Sequence, residues 1–297
     1  MDLFRTNNGI STDKEFEELL SGLSIERANI YLCSSLLSLG RPLNLKVPEL
    51  LINKILERVG KEGTLSIPSY TFSAYNKQIF DPVSSKCIVG TLGETARKMP
   101  GFIRTFHPVY SHSVKGKNTE LLNSQSPKTC FGKGSFFDIF CKIERSFIIV
   151  LGGSLSALAF YHYYDQLFSA PGRFVKKFKA LVRKGEDVTE IEFDSYVKDY
   201  ENFYIGDLMN CLGRFDALAT ELGLLQHIPF AGNYLHIIKE EDFRKLYDAC
   251  LLIDQKYFLC STKKEWEEYY PKNNFKMFHG KIDPEMRKEV QKILQSN

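Results

Sequence analysis

The spacing of apolar residues opens the chain with a helix and then alternates strands with helices. Thr12 to Glu15 spell T-D-K-E, a capping box, and Phe16, Leu19, Leu20 and Leu23 follow at helical spacing. Asn29 to Gly40, NIYLCSSLLSLG, gives a short apolar strand ending in hydroxyls, a frequent handover to a helix N-terminus with free N–H groups. Val47 to Val59 reads as an amphipathic helix stopped by Gly60, and Thr64 opens a second β-rich run, TLSIPSYTFS. Strand, helix, strand predicts a sheet covered by helices.

Between Ser73 and Gly90 the pattern dissolves into polar residues around F-D-P at Phe80 to Pro82, and a loop of that length is more often functional than idle. Phe102 to Val114 alternates as extended structure, broken at His107-Pro108, where the proline holds the residue before it extended. Cys130 to Phe140 is a glycine turn and a short apolar helix capped by Ser135. It is no P-loop, because Pro127 stands where the first glycine should and no Ser or Thr directly follows the Gly-Lys pair. Ser146 to Leu151 is the clearest buried strand, closed by Gly152 and Gly153, and Ala157 to Leu167 has helical character. Arg173 to Val182 and Val188 to Val197 flank R-K-G-E-D and predict a β-hairpin. Leu208, Leu212, Phe215, Leu218 and Leu222 mark a helix, Phe243 to Leu252 another, and Lys272 to Asn297 a charged surface helix. The expectation is an α/β fold, a mixed central sheet flanked by helices. It forms a single compact domain over residues 1–297, with 185–297 as an inserted or appended lobe.

Composition narrows the partners. At 297 residues the chain can bury a sizeable core without staples. Its 39 basic and 36 acidic residues leave a formal charge of +3, so a nucleic-acid partner would need a local basic stripe. One candidate exists, Lys176, Lys177, Lys179, Arg183 and Lys184 on the hairpin, and its bland reading is a solvated strand face. Seven cysteines, an odd number without a C-x-x-C pair, argue for reduced thiols in the cytoplasm and against a disulfide framework or zinc. The first residues show no basic leader followed by an apolar stretch, and no apolar run reaches the roughly 18 residues of a membrane span. The reading is a cytoplasmic chain with no nucleic-acid and no membrane partner.

Two stretches concentrate the chemistry and are expected to face one cleft. Gly90 to Gly116 packs glycines, arginines, Glu94, His107, His112 and several hydroxyls together, while Phe147 to Asp165 runs from an apolar strand through glycines into a helix carrying His162. Clefts in α/β proteins open beyond strand ends, so a histidine there suits proton transfer near neutral pH. Asp165, three residues on, shares its helical face and is placed to orient the ring. A histidine satisfied in an aromatic core is the commoner use of such a position. Glu94 and Arg97 fall on one turn, where they serve a site or simply pair with each other. Ser34 and Ser35 stand where a helix end could bind an anion, or merely cap the helix. Cys33, at the same strand end, is the best thiol nucleophile, with a packing role preferred. G-x-S-x-G does not occur, which excludes a nucleophile elbow of that type.

Seven blocks, in order, resemble the aminoglycoside N3-acetyltransferase (antibiotic N-acetyltransferase) family. They are YLCSSLLSLG at 31 to 40, GTLSIPSYTFS at 63 to 73, FDP at 80 to 82, G-x-x-x-E-x-x-R from Gly90, PGFIRTFHPVYS at 100 to 111, FGKGSFF at 131 to 137, and the glycine block leading to His162. The resemblance implies a three-layer fold distinct from the GNAT acetyltransferases. It also implies direct transfer of an acyl group from acetyl-CoA or a longer acyl-CoA to an amine, without a metal. His162 would be the general base, oriented by Asp165, with Glu94 in the catalytic set. Ser34, Ser35, Ser69, Ser111 and Ser135 would line the CoA arm with Arg104 as the nearby cation, and His107, Asp81, Arg173 and Lys177 would meet the acceptor. The chain departs from the family at Cys33, where histidine is frequent, at Ala159, where threonine is usual, and at Asp165, where glutamate is usual.

The family includes resistance enzymes for aminoglycosides and a branch that acylates nucleotide-linked deoxyamino sugars. Little acid clusters in the matched region, and Arg173, Lys176 and Lys177 follow the His162 block, which favours the phosphates of a nucleotide-linked amino sugar as acceptor. Aminoglycoside acetylation is the alternative, and a noncatalytic CoA-binding protein, favoured by Ala159, is the third reading. A second copy of the chain, in a homodimer, completes the partners considered.

Overall fold

The computed structural model describes residues 1–199, 201, 209–210, 212–260 and 282–296. A hairpin of β1 (Asp2–Thr6) and β2 (Gly9–Thr12) leads into α1 (Asp13–Ser21). The capping box forms as the sequence predicts. Thr12 Oγ1 accepts the Glu15 N–H at 3.3 Å, and the Glu15 carboxylate accepts the Thr12 N–H at 2.6 Å. Next come β3 (Asn29–Ser34), the single turn α2 (Leu36–Leu39), β4 (Arg41–Pro42), which pairs with β1, and α3 (Val47–Val59). The α3 stripe of Val47, Leu51, Ile52, Ile55 and Val59 is buried, as its spacing requires.

After β5 (Thr64–Pro68) follow α4 (Thr91–Lys98), β6 (Ile103–Arg104), β7 (His112–Gly116), α5 (Thr119–Asn123), α6 (Phe136–Phe140), β8 (Ser146–Leu151) and α7 (Phe160–Leu167). The hairpin predicted from R-K-G-E-D is β9 (Arg173–Lys184) and β10 (Asp187–Lys198). The later elements are β11 (Met209–Asn210), α8 (Gly213–Glu221), β12 (Gln226–Phe230), β13 (Asn233–Lys239), α9 (Glu240–Ile253), β14 (Leu259–Cys260) and α10 (Pro284–Ser296). Leu208, the expected start of the helix realised as α8, lies outside the described residues, as does much of the tail ahead of α10.

The central sheet has seven strands in the order β12-β13-β8-β3-β5-β7-β6, with β8, β3 and β5 mutually parallel and the flanking pairs antiparallel. Strand alternation divides the core in two. Ile30, Leu32, Ile149 and Leu151 face an aliphatic layer with α1, α3 and α4, whereas Tyr31, Ile148 and Val150 face an aromatic layer with α6, α7 and α9. The fold is therefore a mixed sheet between helical layers. One hairpin was not anticipated. β12 and β13 turn tightly at Ala231-Gly232 and join the central sheet beside β8, so strands from beyond residue 185 belong to the same sheet as β3.

Candidate active site

The parallel strands carry the functional region at their C-terminal ends. β8 gives way to Gly152 and Gly153, with φ of +70° and +86°, and this left-handed pair turns the chain toward α7. Gly152 is fixed twice over. A Cβ there would stand 2.7 Å from the Ser35 carbonyl oxygen and 2.5 Å from Ser38 Oγ, because the ends of β3 and β8 are packed together, with the Ser35 N–H donating to the Leu151 carbonyl at 3.0 Å.

His162, on α7, forms part of the wall of a cavity of about 450 Å³ at the foot of the β9–β10 hairpin. Tyr110 and Phe131 bring aromatic surface to it, and Arg173, Lys176, Tyr196 and Lys198 come from the hairpin. The hairpin is clamped in place by backbone bonds from Phe80 to Leu181 and Arg183 and from Lys128 and Cys130 to Asp194. Burial pushes the His162 imidazole down to about 3, with Arg173 and Lys198 adding like-charge repulsion. The ring is thus neutral, the form a base needs, and its Nδ1 is buried with no hydrogen-bond partner.

Asp165 does not orient that ring. Tyr247 donates its hydroxyl proton to Asp165 Oδ1 at 2.7 Å, and Arg173 Nε lies 2.9 Å from Oδ2 as an ion pair without hydrogen-bond alignment. Burial lifts the Asp165 carboxyl above the usual carboxylate range, against the pull of Arg173. One turn of helix places Asp165 near His162, but its oxygens are directed to β9 and α9.

A second cavity, of about 360 Å³, lies between the end of β3 and the start of α4, where Ser34, Ser35, Gly90 and Thr91 meet exposed Leu37 and Leu45. The Ser35 hydroxyl makes no capping bond to α2, so it is available to a ligand. Hydroxyls beside apolar side chains suit a long thioester arm that alternates amides and methylenes, and these residues fit the acyl-CoA that the resemblance implies. Cys33 is not a nucleophile in this setting, since burial pushes its thiol up to about 12. The cysteines Cys33, Cys87, Cys130, Cys141 and Cys250 are free thiols.

Most of the other sequence-predicted residues are committed to the fold. Arg104 donates Nε to Ser111 Oγ at 3.0 Å and its terminal nitrogens to the Pro82, Ser85 and Ser69 carbonyls. The Ser111 hydroxyl donates to the Ser69 carbonyl at 2.8 Å. Desolvation lowers the Arg104 guanidinium to about 10. Ser69 is fully buried, its Oγ 2.7 Å from Ser113 Oγ. This cluster bolts β5 to the strand pair β6 and β7, and none of Ser69, Arg104 and Ser111 lines either cavity. Ser135 caps α6, accepting the Asp138 N–H at 3.2 Å. Glu94 is held near 2 chiefly by Arg97, with Lys98 at 2.8 Å, so the structure shows it as an ion-pair residue, and it lines neither of the two cavities. Asp81 turns the loop by accepting the Val83 and Ser84 N–H groups, while Phe80 is buried beneath Arg104. His107 is 1% exposed, and its Nδ1 accepts the Val109 and Tyr110 N–H groups. Lys177 points outward to Glu192 at 2.9 Å, and Lys179 to Glu190 at 2.8 Å, so that part of the basic stripe is a solvated strand face balanced by its partner strand, while Lys176 lines the cavity and Arg183 and Lys184 meet Asp81 and Phe106.

The two stretches therefore do not share a cleft as wholes. Tyr110 alone of the residues from Gly90 to Gly116 joins His162 in the larger cavity, and Gly90 and Thr91 line the other. Lys198 was missed, although the sequence contained the means to find it. Counting outward from the two-residue turn at Gly185 and Glu186 puts it directly opposite Arg173. Among the described residues no group of three or more His, Cys, Asp or Glu is gathered as for a metal, and no helix is long and apolar enough to cross a membrane.

Comparison with known proteins matches this geometry to a family. A family model described as aminoglycoside 3-N-acetyltransferase matches residues 32–222. Aminoglycoside N(3)-acetyltransferase VII of Streptomyces paromomycinus is 28% identical over 162 residues, which cover 48% of this chain and 56% of that relative. The matching region thus spans little more than half the relative's length. Among solved structures, the aminoglycoside acetyltransferase AAC(3)-IVa apoenzyme superposes with a TM-score of 0.67 at 19% identity, covering 86% of this chain and 96% of that one. AAC-IIIb in binary complex with CoASH gives 0.67 at 18%, covering 84% and 97%. The YokD protein of Bacillus subtilis gives 0.64 at 16%, covering 80% and 97%. At such identities the superpositions establish the shared fold, and the family model, which takes in more than half of the chain, establishes membership: this protein belongs to the aminoglycoside 3-N-acetyltransferase family.

Proposed function

We propose that the protein is an acetyl-CoA-dependent N-acetyltransferase in which His162 takes the proton from an attacking amine. The observation that carries this is an imidazole in the wall of a cavity just beyond a parallel strand end, in a chain of this family. An amine attacks only through a free lone pair, so a base must take its proton as the C–N bond forms. His162 accepts that proton. The C–S bond of the thioester then breaks, CoA leaves as its thiolate, and the proton on His162 is available to the departing sulfur. Ser34 and Ser35 hold the donor arm from the second cavity, and Arg173, fixed by Asp165, supports the His162 side. With its thiol held protonated, Cys33 supports direct transfer over an acyl-enzyme.

For the acceptor, the relatives' names put aminoglycosides first. The nucleotide-linked amino sugar expected from the sequence has no support in the relatives named above, and only the charge of the cavity wall speaks for it. Thiol release from acetyl-CoA, measured with a panel of aminoglycosides and of amino sugar nucleotides, tests both levels. Release with an aminoglycoside supports the full reading. Release with the nucleotides alone keeps the chemistry and replaces the acceptor, and CoA binding without transfer to any amine would defeat the proposal.

A further inference from the structure

We propose that Arg173 and Lys198, opposed across the foot of the β9–β10 hairpin, form an anion subsite beside His162, so that the acceptor carries a phosphate or carboxylate group as well as its reacting amine. The inference rests on the N-acetyltransferase reading and departs from its first-placed acceptor, since an aminoglycoside carries amines but no phosphate or carboxylate.

Three features of the site point this way. Arg173 and Lys198 are direct cross-strand partners, an arrangement that like charges make unfavourable unless something between them offsets it. Both line the cavity that His162 lines. Second, the Arg173 side chain is 5% exposed, and although its Nε faces Asp165, its Nη2 is buried with no hydrogen-bond partner. A buried guanidinium donor left unpaired is costly, and a planar fork of this kind matches the oxygens of a carboxylate or phosphate. Third, Asp165 is a single carboxylate between two cations, and one of its oxygens already accepts from Tyr247. Burial, with Arg173 adding repulsion, pushes the Lys198 ammonium down to about 8, a strain that a bound anion would relieve. Such an anion would also offset the like-charge repulsion that Arg173 and Lys198 add to the burial holding His162 low.

The wall is not uniformly basic. Asp199 and Glu201 line the same cavity, so it presents both signs, and a molecule bearing an amine and an anionic group complements both. A polycation without an anionic group matches only half of it.

Two sources of anion are available, the acceptor and the phosphates of CoA. Calorimetric titration of the full chain with sodium pyrophosphate and with sodium acetate, with and without saturating CoA, separates them, and the two probes separate phosphate from carboxylate. The expected result is binding of at least one probe that survives CoA, weakens about tenfold or more in Lys198→Gln and Arg173→Gln, and is unchanged in Lys177→Gln. Arg173 also holds Asp165, so if its variant fails to fold, Lys198→Gln decides alone. The inference is overturned by no binding, by equal binding in all the variants, or by loss of binding when CoA is added. Its failure is distinguishable from failure of the acetyltransferase reading, because binding needs no turnover. Thiol release with an aminoglycoside but no anion binding ends the subsite and leaves the chemistry, whereas binding without transfer to any amine does the reverse.

Discussion

The segment from Gly90 to Gly116 and the segment from Phe147 to Arg173 carry similar chemistry, but their polar groups end in different places. In the first, Arg104 donates from its guanidinium to one hydroxyl and three carbonyls, Glu94 is held by Arg97 and Lys98, and the Ser111 hydroxyl is spent on the Ser69 carbonyl. In the second, His162 Nδ1 and Arg173 Nη2 are buried with no partner on residues that line a cavity, whereas the unpaired His107 Nε2 and His112 Nδ1 of the first belong to residues that line neither cavity. Buried polar groups are normally paired, so the unpaired ones on a cavity wall are the sign of a site. Richness in polar residues marks a region that must be held together, whereas unspent hydrogen bonds on a cavity wall mark one that can act.

Several perturbations would break or sharpen that contrast. A large effect is expected from Gly152→Ala, where the left-handed backbone and the contact with the Ser35 carbonyl both oppose a side chain. A loss of about 2 kcal/mol in denaturant unfolding is expected, together with reduced turnover, because the same turn sets the start of α7. An unchanged midpoint would show that the strand ends need not pack so closely. Ser35→Ala should raise KM for acetyl-CoA by about fivefold, the worth of one ordinary hydrogen bond, with kcat kept. A fall in kcat at constant KM would move Ser35 from the donor arm to the reacting centre.

The pH behaviour of His162 is sharper in sign than in size. Its folded value, about 3, lies below the unfolded value of about 6.5. The stability contributed by the neutral ring is therefore complete above about pH 6.5 and is lost as the pH falls through that value toward 3. Ring signals in NMR should stay flat between about pH 8 and pH 5 in the ligand-free protein, and a midpoint near 6.5 would mean that the site is wetter than described. The smallest effect is expected from Cys33→Ala, which should turn over as the wild type does. Abolished turnover, with an acetylated cysteine trapped in the wild type, would establish a covalent route instead.

What the sequence revealed follows from the range over which each signal acts. The Thr12 capping box, the strand at Ser146 to Leu151, the helix carrying His162 and the R-K-G-E-D hairpin are written in neighbouring residues, and each appears as read. Asp165 was assigned to His162 because it is three residues away, but its hydrogen-bond partner Tyr247 is 82 positions along the chain, and no local pattern reveals that bond. Ser69, Ser111 and Arg104 entered as a ligand cradle through the family resemblance, and the bonds that tie Ser69 to Arg104 and Ser111, 35 and 42 positions away, are likewise beyond any local pattern. The β12–β13 hairpin was legible in principle from Gln226 to Lys239, where a Gly-Asn pair at 232 and 233 divides two extended runs. Lys198 was legible from the hairpin register, once the turn was fixed.

His162→Asn and Arg104→Ala, assayed side by side for acetyl transfer and for thermal stability, put the contrast to its most direct trial. His162→Asn should lower kcat by about two to four orders of magnitude while leaving Tm and acetyl-CoA binding close to wild type. Arg104→Ala should lose about 3 kcal/mol of stability, from carbonyls left unpaired, while the molecules that stay folded keep their turnover. Full turnover in His162→Asn, or loss of turnover in a stably folded Arg104→Ala, would contradict the assignment of the first segment to structure and the second to chemistry.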